Sequence, residues 1–262
     1  HAAAIAAAAG GPHPGQGARA MKTLRMDLHT HTLYSHDSVL KLEHYVEACV
    51  RKGINCVAVT DHNEIDGAKR MQKMAPFKVI VGEEIRTRDG EISGLFLKER
   101  IPPNLSAFET IRRIREQKGL VYIPHPFASG VFMRLKQHVL ESVVDEIDIV
   151  EGWNSRGLLR ADDDRARAFA ERHDLPFAAG SDAHSRFELG SAYVEMKDFK
   201  TKEQLLRNLR EGRLFGRKTN LLFPASSVVL GRARVLGGHR TDKAREKRRT
   251  RNPTKKIFSD DF

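Results

Sequence analysis

The chain has 262 residues, 40% of them hydrophobic, which is enough for one domain with a sizeable core. Its formal net charge is +11, but residues 231–256 hold eleven Lys and Arg against two acidic residues, so the basic character belongs to that segment. No apolar run reaches the roughly 20 residues of a membrane helix, and Cys49 and Cys56 alone imply no disulfide framework. We therefore expect a cytoplasmic protein with reduced, core-packed thiols and no membrane partner.

The two ends of the chain differ in composition from its middle. Residues 1–20 are rich in Ala, Gly and Pro and lack the basic start of a signal peptide, so we expect a disordered leader or a vector-derived remnant before Met21. Residues 21–222 are the predicted folded domain. Residues 223–262 are predicted to form a basic, flexible tail, which could give salt-sensitive affinity for a nucleic acid.

Strand-like and helix-like patterns alternate from about residue 22 to residue 220. Predicted strands cover residues 24–28, 54–60, 79–81, 120–123, 148–153 and 177–179. Predicted helices cover residues 42–50, 68–74, 106–119, 131–145, 159–172 and 201–210. Asp89-Gly90 between apolar stretches predicts a hairpin turn, and Ser106 with Glu109 predicts a capping box. This alternation favours an α/β fold with mainly parallel strands, either a barrel of about seven strands or, as the lesser alternative, an open sheet.

Side chains that bind metals follow these predicted strands. His29 and His31 stand at i and i+2 after a short apolar run, so they share one face of a strand. Later strand ends supply more such residues: Asp61 with His62, Glu84, His125, and Asp182 with His184. A barrel arranges strand ends in a ring, so we expect these residues to converge. Five core histidines would otherwise be hard to satisfy.

The donor types indicate which ions such a site takes. Imidazoles mixed with carboxylates suit Zn²⁺, Mn²⁺ or Fe²⁺ better than Ca²⁺ or Mg²⁺. The donors outnumber what one tetrahedral ion uses, so we expect two or three ions, with Glu84 able to bridge a pair about 3.5–4 Å apart. Asp27 and Asp61 precede ligand histidines and are expected to orient them.

The motifs DLHTHT, VTDHN, GEE, PHP and GSDAH, in this order, resemble the polymerase and histidinol phosphatase (PHP) superfamily over about residues 24–215. The resemblance implies a distorted (β/α)7, TIM-like barrel with a di- or trinuclear metal site that hydrolyses phosphoesters. It makes residues 21–222 the phosphoesterase domain. The implied ligands are His29, His31, Asp37, His62, Glu84, His125, Asp182 and His184. For the ligand after the H-x-H pair, the Y-S-x-D-S spacing favours Asp37 over His36.

The chain departs from that family in one ligand and in one segment length. Trinuclear members add a histidine after a strand that resembles residues 149–153, whereas this chain has Asn154, which offers a weaker ligand for a third ion. Only about forty residues separate Glu84 from His125, which predicts a smaller cap and a more open pocket.

The metals imply a mechanism in which a hydroxide held between two ions attacks phosphorus in line, without a covalent enzyme intermediate. Asp37, Asp182 and His184 are candidate catalytic residues that could assist the leaving group, and the sequence does not choose among them. Arg156 and Arg186 lie near the motif loops and are predicted to bind the phosphate through the bidentate guanidinium.

We therefore expect a metal-dependent phosphoesterase that acts on a small phosphorylated metabolite or nucleotide. One alternative is an exonuclease or another nucleic-acid-processing phosphodiesterase assisted by the basic tail. A second is an amidohydrolase-like metal hydrolase, although the bridging lysine typical of that class is missing from the strand ends. A third is a non-enzymatic nucleic-acid accessory protein.

Overall fold

The computed structural model describes residues 23–131 and 133–219. Its strands are β1 (Thr23–Thr30), β2 (Cys56–Val59), β3 (Lys78–Arg86), β4 (Glu91–Leu95), β5 (Leu120–Ile123), β6 (Ile149–Asn154), β7 (Phe177–Gly180), β8 (Ala192–Lys197) and β9 (Arg213–Gly216). Its helices are α1 (Leu42–Lys52), α2 (Asp66–Met74), α3 (Ala107–Glu116), α4 (Gln137–Ser142), α5 (Arg160–Arg172) and α6 (Lys202–Arg210), with a 3-10 turn at Val144–Glu146. None of the helices in these ranges is both long and apolar enough to span a bilayer.

The described strands form one nearly closed sheet in the order β7-β6-β5-β4-β3-β2-β1-β8-β9. Strands β1 to β3 are parallel, as are β5 to β7, whereas β4 and β8 run antiparallel to their neighbours. The sheet closes on itself after β7, where Asp182 N donates to His29 O at 2.7 Å and His31 N donates to Ala183 O at 2.9 Å. The predicted α/β, barrel-like fold is confirmed, but the expectation of mainly parallel strands is not, since four of the eight pairings among the described strands are antiparallel.

The core has two layers, one on each face of the sheet. In β2, Val57 and Val59 belong to the layer shared with the helices, whereas Cys56 and Ala58 belong to the barrel interior. Both faces of the strand are therefore buried, which explains why its sequence is a continuous apolar run rather than an alternating one.

The hairpin predicted at Asp89-Gly90 is present, since β3 and β4 pair with Arg86 opposite Glu91. Gly90 has φ +125°, a conformation that side chains rarely adopt. Strands β8 and β9 were not predicted, and they supply the antiparallel extension beside β1.

Two predicted helices are shorter than expected. Among the described residues of the predicted helix 131–145, only α4 is α-helical, and the 3-10 turn begins at Val144. Ser106 caps α3 as predicted by accepting a hydrogen bond from Glu109 N at 3.2 Å, but the helix ends before Gly119 because Lys118 turns left-handed at φ 57°. The predictions for residues 1–20 and 223–262 fall outside the described residues.

Candidate metal centre

The predicted ligands lie at one end of the barrel, where the parallel strands terminate. His29 belongs to β1 and Glu84 to β3, whereas His62, His125 and Asp182 follow β2, β5 and β7. His125 and Asp182 have positive φ angles of 29° and 52°. Such strained backbone is common at functional sites, where it aims a side chain that a relaxed strand end would direct elsewhere.

Glu84 lies at the centre of the cluster and is almost completely buried. Its Oε2 lies 3.2 Å from His29 Nε2, 3.3 Å from His31 Nε2 and 3.2 Å from His62 Nδ1. Its Oε1 lies 3.2 Å from His125 Nε2. Four imidazoles from three strand ends therefore converge on one carboxylate.

The remaining predicted ligands surround this group. Asp182 Oδ1 lies 3.2 Å from His31 Nε2, and Asp37 Oδ2 lies 3.2 Å from His184 Nε2 and 3.5 Å from His62 Nε2. His36 is exposed, with its ring centroid 5.3 Å from that of His62. The structure thus brings all eight predicted ligands together, and its geometry favours Asp37 over His36.

The donor set fits divalent cations. His29 Nε2 and His31 Nε2 face each other at 3.1 Å, an arrangement expected of two ligands aimed at a common ion. His125 Nδ1 and Asp37 Oδ1 are buried and find no hydrogen-bond partner among the described residues. Several triads have donor atoms within 4.8 Å of one another: His31, His62 and His184; His29, His31 and Glu84; His29, His125 and Asp182; His62, Glu84 and Glu91.

The electrostatics of the cluster depend on which neighbours each imidazole has. Burial disfavours a charged His29, but the carboxylates of Glu84 and Glu151 outweigh this effect and raise its pKa well above the ordinary value. Despite burial, Glu84 likewise raises the pKa of His62 to about 10 and helps to raise that of His125 to about 9. In the metal-free protein these imidazoles hold protons, so cations must displace them on binding.

Two further residues fix the orientation of the β1 histidines. Glu151 Oε1 accepts a hydrogen bond from His29 Nδ1 at 3.0 Å. Ser35 Oγ lies 3.0 Å from His31 Nδ1 and donates to Asp61 Oδ1 at 2.9 Å, so Asp61 orients His31 through Ser35. Because each Nδ1 is engaged in this way, the Nε2 lone pairs of both histidines point into the cluster.

The expectation for Asp27 requires a correction. Its carboxylate accepts hydrogen bonds from Ser181 N at 2.9 Å and Gly190 N at 3.1 Å, rather than from an imidazole ring. Asp27 therefore anchors the segments around the ligands Asp182 and His184, and Glu151 has the orienting role expected of Asp27.

The structure separates the two predicted phosphate-binding arginines. Arg156 is largely buried, and its Nη1 lies 3.5 Å from Asp182 O and 3.7 Å from Glu188 Oε1. Arg186 is exposed, with its guanidinium 5.0 Å from the ring centroid of Phe187, and is not brought to the cluster.

Asn154 does not turn an oxygen towards the cluster. Its Oδ1 accepts hydrogen bonds from the backbone of Arg156 at 2.9 Å and Gly157 at 3.0 Å. Its amide nitrogen donates to Glu151 at 3.0 Å and Asp182 at 3.3 Å. The weak ligand expected at this position is thus a hydrogen-bond donor to the carboxylates instead.

Sequence reasoning missed Glu91 and Glu151, which both lie in buried strands. Glu91 Oε1 is 3.7 Å from His62 Nδ1, and its Oε2 is 3.8 Å from His125 Nε2. Burial and the neighbouring Glu84 raise the pKa of Glu91 to about 7. A carboxylate within an apolar strand was the available signal, since buried charges are rare without partners.

Comparisons with known proteins agree with this geometry. Residues 27–122 match the family model described as PHP domain, and residues 162–214 match the model described as PHP-associated. An uncharacterised protein of Methanocaldococcus jannaschii is 36% identical over 211 residues, covering 76% of this chain and 85% of its own length.

Solved structures share the fold at low sequence identity. A two-domain protein from Bacteroides vulgatus, described as containing a predicted PHP-like metal-dependent phosphoesterase, aligns with a TM-score of 0.62 at 16% identity, over 79% of this chain and 70% of that one. PsfC from Pseudomonas syringae aligns with a TM-score of 0.61 at 15% identity, over 81% of this chain and 99% of that one. At such identities the likeness establishes the fold alone.

Proposed function

This chain belongs to the PHP family, and on that premise we propose that it is a metal-dependent phosphoesterase that hydrolyses a phosphate ester of a small metabolite or nucleotide. The observation that carries the proposal is the convergence of His29, His31, His62 and His125 on the buried Glu84. A buried carboxylate with imidazoles on both oxygens is suited to bridging two ions.

The residues of the cluster have different roles in the proposed hydrolysis. Two or three ions of Mn²⁺, Zn²⁺ or Fe²⁺ bound here would activate a water and neutralise charge that develops on the phosphoryl oxygens. Asp182 is held between the β1 histidines and the amide of Asn154, so it serves as a ligand. His184 is buried and pairs with the partly exposed Asp37, and a proton from this pair can reach the leaving oxygen.

Arg156 is the residue we assign to phosphate binding. Glu188 is buried, accepts hydrogen bonds from His184 N at 3.1 Å and Ser185 Oγ at 2.8 Å, and directs its other oxygen towards Arg156. The guanidinium is therefore held beside Asp182, where its planar fork can bind two phosphoryl oxygens.

The test is hydrolysis of an aryl phosphate by the full chain with added Mn²⁺. We expect the His29→Ala variant to lose turnover and bound metal together. We expect the Arg156→Ala variant to keep its metal but raise KM, and to do so more than Arg186→Ala. Turnover of an amide or a lactone without any phosphatase activity would instead support the amidohydrolase-like alternative.

A basic groove beside the hairpin favours a second candidate, a phosphodiesterase that acts on short nucleic acids. The groove has a volume of about 300 Å³, and Arg86, Arg88, Arg134 and Lys136 contribute to its lining. These cations can attract backbone phosphates, although Asp89 in the same lining pairs with Lys136 at 3.3 Å. A rate on a short oligonucleotide that exceeds the rate on a mononucleotide and falls steeply with salt would support this candidate.

The same assays separate the groove from the basic tail. Truncation at residue 231 is expected to leave the hydrolysis of small substrates nearly intact. If truncation also leaves the rate on oligonucleotides unchanged, the groove rather than the tail provides the affinity for the backbone phosphates of the oligonucleotide.

A further inference from the structure

We propose that Glu91 is a metal ligand of this chain, and that with Glu84 and His62 it holds a cation in the buried centre. The inference rests on the metal-dependent function proposed above. It adds a ligand from outside the sequence motifs.

The register of the β3–β4 hairpin places Glu91 on the correct face. Glu84 pairs with Ser93, and Arg86 pairs with Glu91. Since alternate residues of a strand share a face, Glu91, Ser93 and Glu84 all lie on the same side of the sheet. That side holds the imidazoles of the cluster, as the contacts of Glu84 show.

The distances around Glu91 are those of ligands that share an ion. Its two oxygens lie 3.7 Å from His62 Nδ1 and 3.8 Å from His125 Nε2, beyond the range of a hydrogen bond. Two donor atoms each about 2.1 Å from one ion are separated by roughly 3.0–3.8 Å, depending on the angle between them. Donor atoms of His62, Glu84 and Glu91 fall within 4.8 Å of one another.

The negative charge of the buried carboxylates also favours a cation at this position. Glu84 and Glu91 bring two carboxylates together in a buried site, and Glu151 adds a third next to His29 and the backbone of His125. Buried carboxylates that lie side by side are costly unless a positive charge lies between them. A divalent ion held by Glu91, Glu84 and His62 supplies that charge once the imidazoles have given up their protons to bind it.

Calorimetric titration of Mn²⁺ into the metal-free full chain tests the proposal, with bound metal counted by plasma mass spectrometry after dialysis. The variant is Glu91→Gln, which keeps shape but removes the charged donor. The matched control is Glu83→Gln, a buried carboxylate that instead accepts a hydrogen bond from Ile101 N at 2.8 Å. We expect Glu91→Gln to bind one ion fewer per chain, or to weaken one binding step at least tenfold, whereas Glu83→Gln binds as the wild type does.

Each alternative outcome has a distinct meaning. Equal stoichiometry and affinity in Glu91→Gln and the wild type overturn the role of Glu91 and leave the proposed function standing. A wild-type chain that binds neither Mn²⁺ nor, in the same titration, Zn²⁺ or Fe²⁺ overturns the proposed function as well. Should Glu91→Gln fold poorly, anomalous diffraction from Mn²⁺-soaked wild-type crystals decides: an ion about 2.2 Å from a Glu91 oxygen supports the assignment, and a gap above about 3 Å to every ion overturns it.

Discussion

Two sides of the metal centre differ in the protonation of the histidines that would bind cations. The carboxylate side comprises Glu84, Glu91 and Glu151 with His29 and His125, and the imidazole side comprises His31, His62 and His184 with Asp37. On the first side, the carboxylates keep protons on the histidines. A metal ion must displace those protons when it binds. On the second side, burial and the neighbouring imidazoles lower the pKa of His31, so this residue offers a neutral nitrogen donor, whereas Glu84 and Asp37 raise the pKa of His62.

His29 and His31 show the contrast most directly, because they are two residues apart on one strand. Glu84 and Glu151 raise the pKa of His29 despite its burial. Burial, together with the charges of His184 and His62, lowers the pKa of His31 to about 3. Identical side chains in the same motif therefore differ in protonation because their tertiary neighbours differ.

Substitution of Glu84 should have the largest effect, since this residue joins the two sides. We expect Glu84→Gln to lower kcat/KM by about a thousandfold and to reduce bound metal, because a shared ligand is lost together with several kcal/mol of transition-state stabilisation. Steady-state kinetics and metal analysis test this. Wild-type metal content in the variant would show that the sides bind ions independently of Glu84.

Glu151 and Ser35, which orient His29 and His31, allow a finer test of the difference between the two sides, because the first is charged and the second is neutral. We expect Glu151→Gln to weaken Mn²⁺ binding or kcat/KM by roughly 10–100-fold, the range typical of a carboxylate behind a ligand histidine. Ser35→Ala should cost less, under about tenfold, because a hydroxyl contributes a weaker hydrogen bond to His31. Equal losses in the two variants would contradict a functional difference between the sides.

The pH dependence of metal binding tests whether His62 and His125 are protonated in the metal-free protein. Because His62 and His125 have pKa values raised to about 10 and 9, both carry protons at pH 7 in the metal-free protein. Mn²⁺ affinity should therefore rise with pH between about 6 and 9, by up to about tenfold per pH unit for each proton displaced. Calorimetry in buffers of different ionisation enthalpy counts the released protons. An affinity that does not change with pH would mean that both imidazoles are already neutral.

Glu83 gives the smallest expected effect on metal binding, as a buried carboxylate that lies next to Glu84 without an imidazole contact, and its effect is instead on stability. Burial raises its pKa to about 8, although a hydrogen bond from Ile101 N opposes the shift. The folded state therefore retains a proton that the unfolded chain loses above about pH 4.5, so wild-type stability falls as pH rises from 4.5 to 8.

Glu83→Gln removes this dependence. We expect its stability relative to the wild type to grow by up to about 3 kcal/mol between pH 5 and pH 8, or roughly 6–12 °C in melting temperature. Urea titrations of both proteins at the two pH values measure the change. A constant difference would mean that Glu83 is ionised in the folded protein across this range.

Much of the fold was predictable because its signals are local. The apolar run of β2, the Asp89-Gly90 turn and the Ser106 cap each arise from interactions within a few residues. Strands β8 and β9 were missed, since they are recognised as strands only through their pairing beside β1.

The candidate site was predicted to a similar extent, for a related reason. The order and types of the motif residues indicated which side chains would converge, and the barrel topology brings them together. Glu91 and Glu151 carried no motif: the position of Glu91 depends on the register of the β3–β4 hairpin, and the role of Glu151 depends on a contact with His29, which is far away in sequence. Arg156 and Arg186 looked equivalent in the sequence, but loop geometry buries only the first beside Asp182.

The sequence by itself determined the fold class, the end of the barrel that carries the chemistry and the types of the metal donors. These follow from periodicity and from the placement of histidines and carboxylates at strand ends. Only the tertiary structure decided which histidines face carboxylates, whether Asp37 or His36 joins the cluster, and which arginine lies beside it. Those outcomes depend on distances of 3–4 Å between residues far apart in the chain, because electrostatic interactions and hydrogen bonds change steeply over that range.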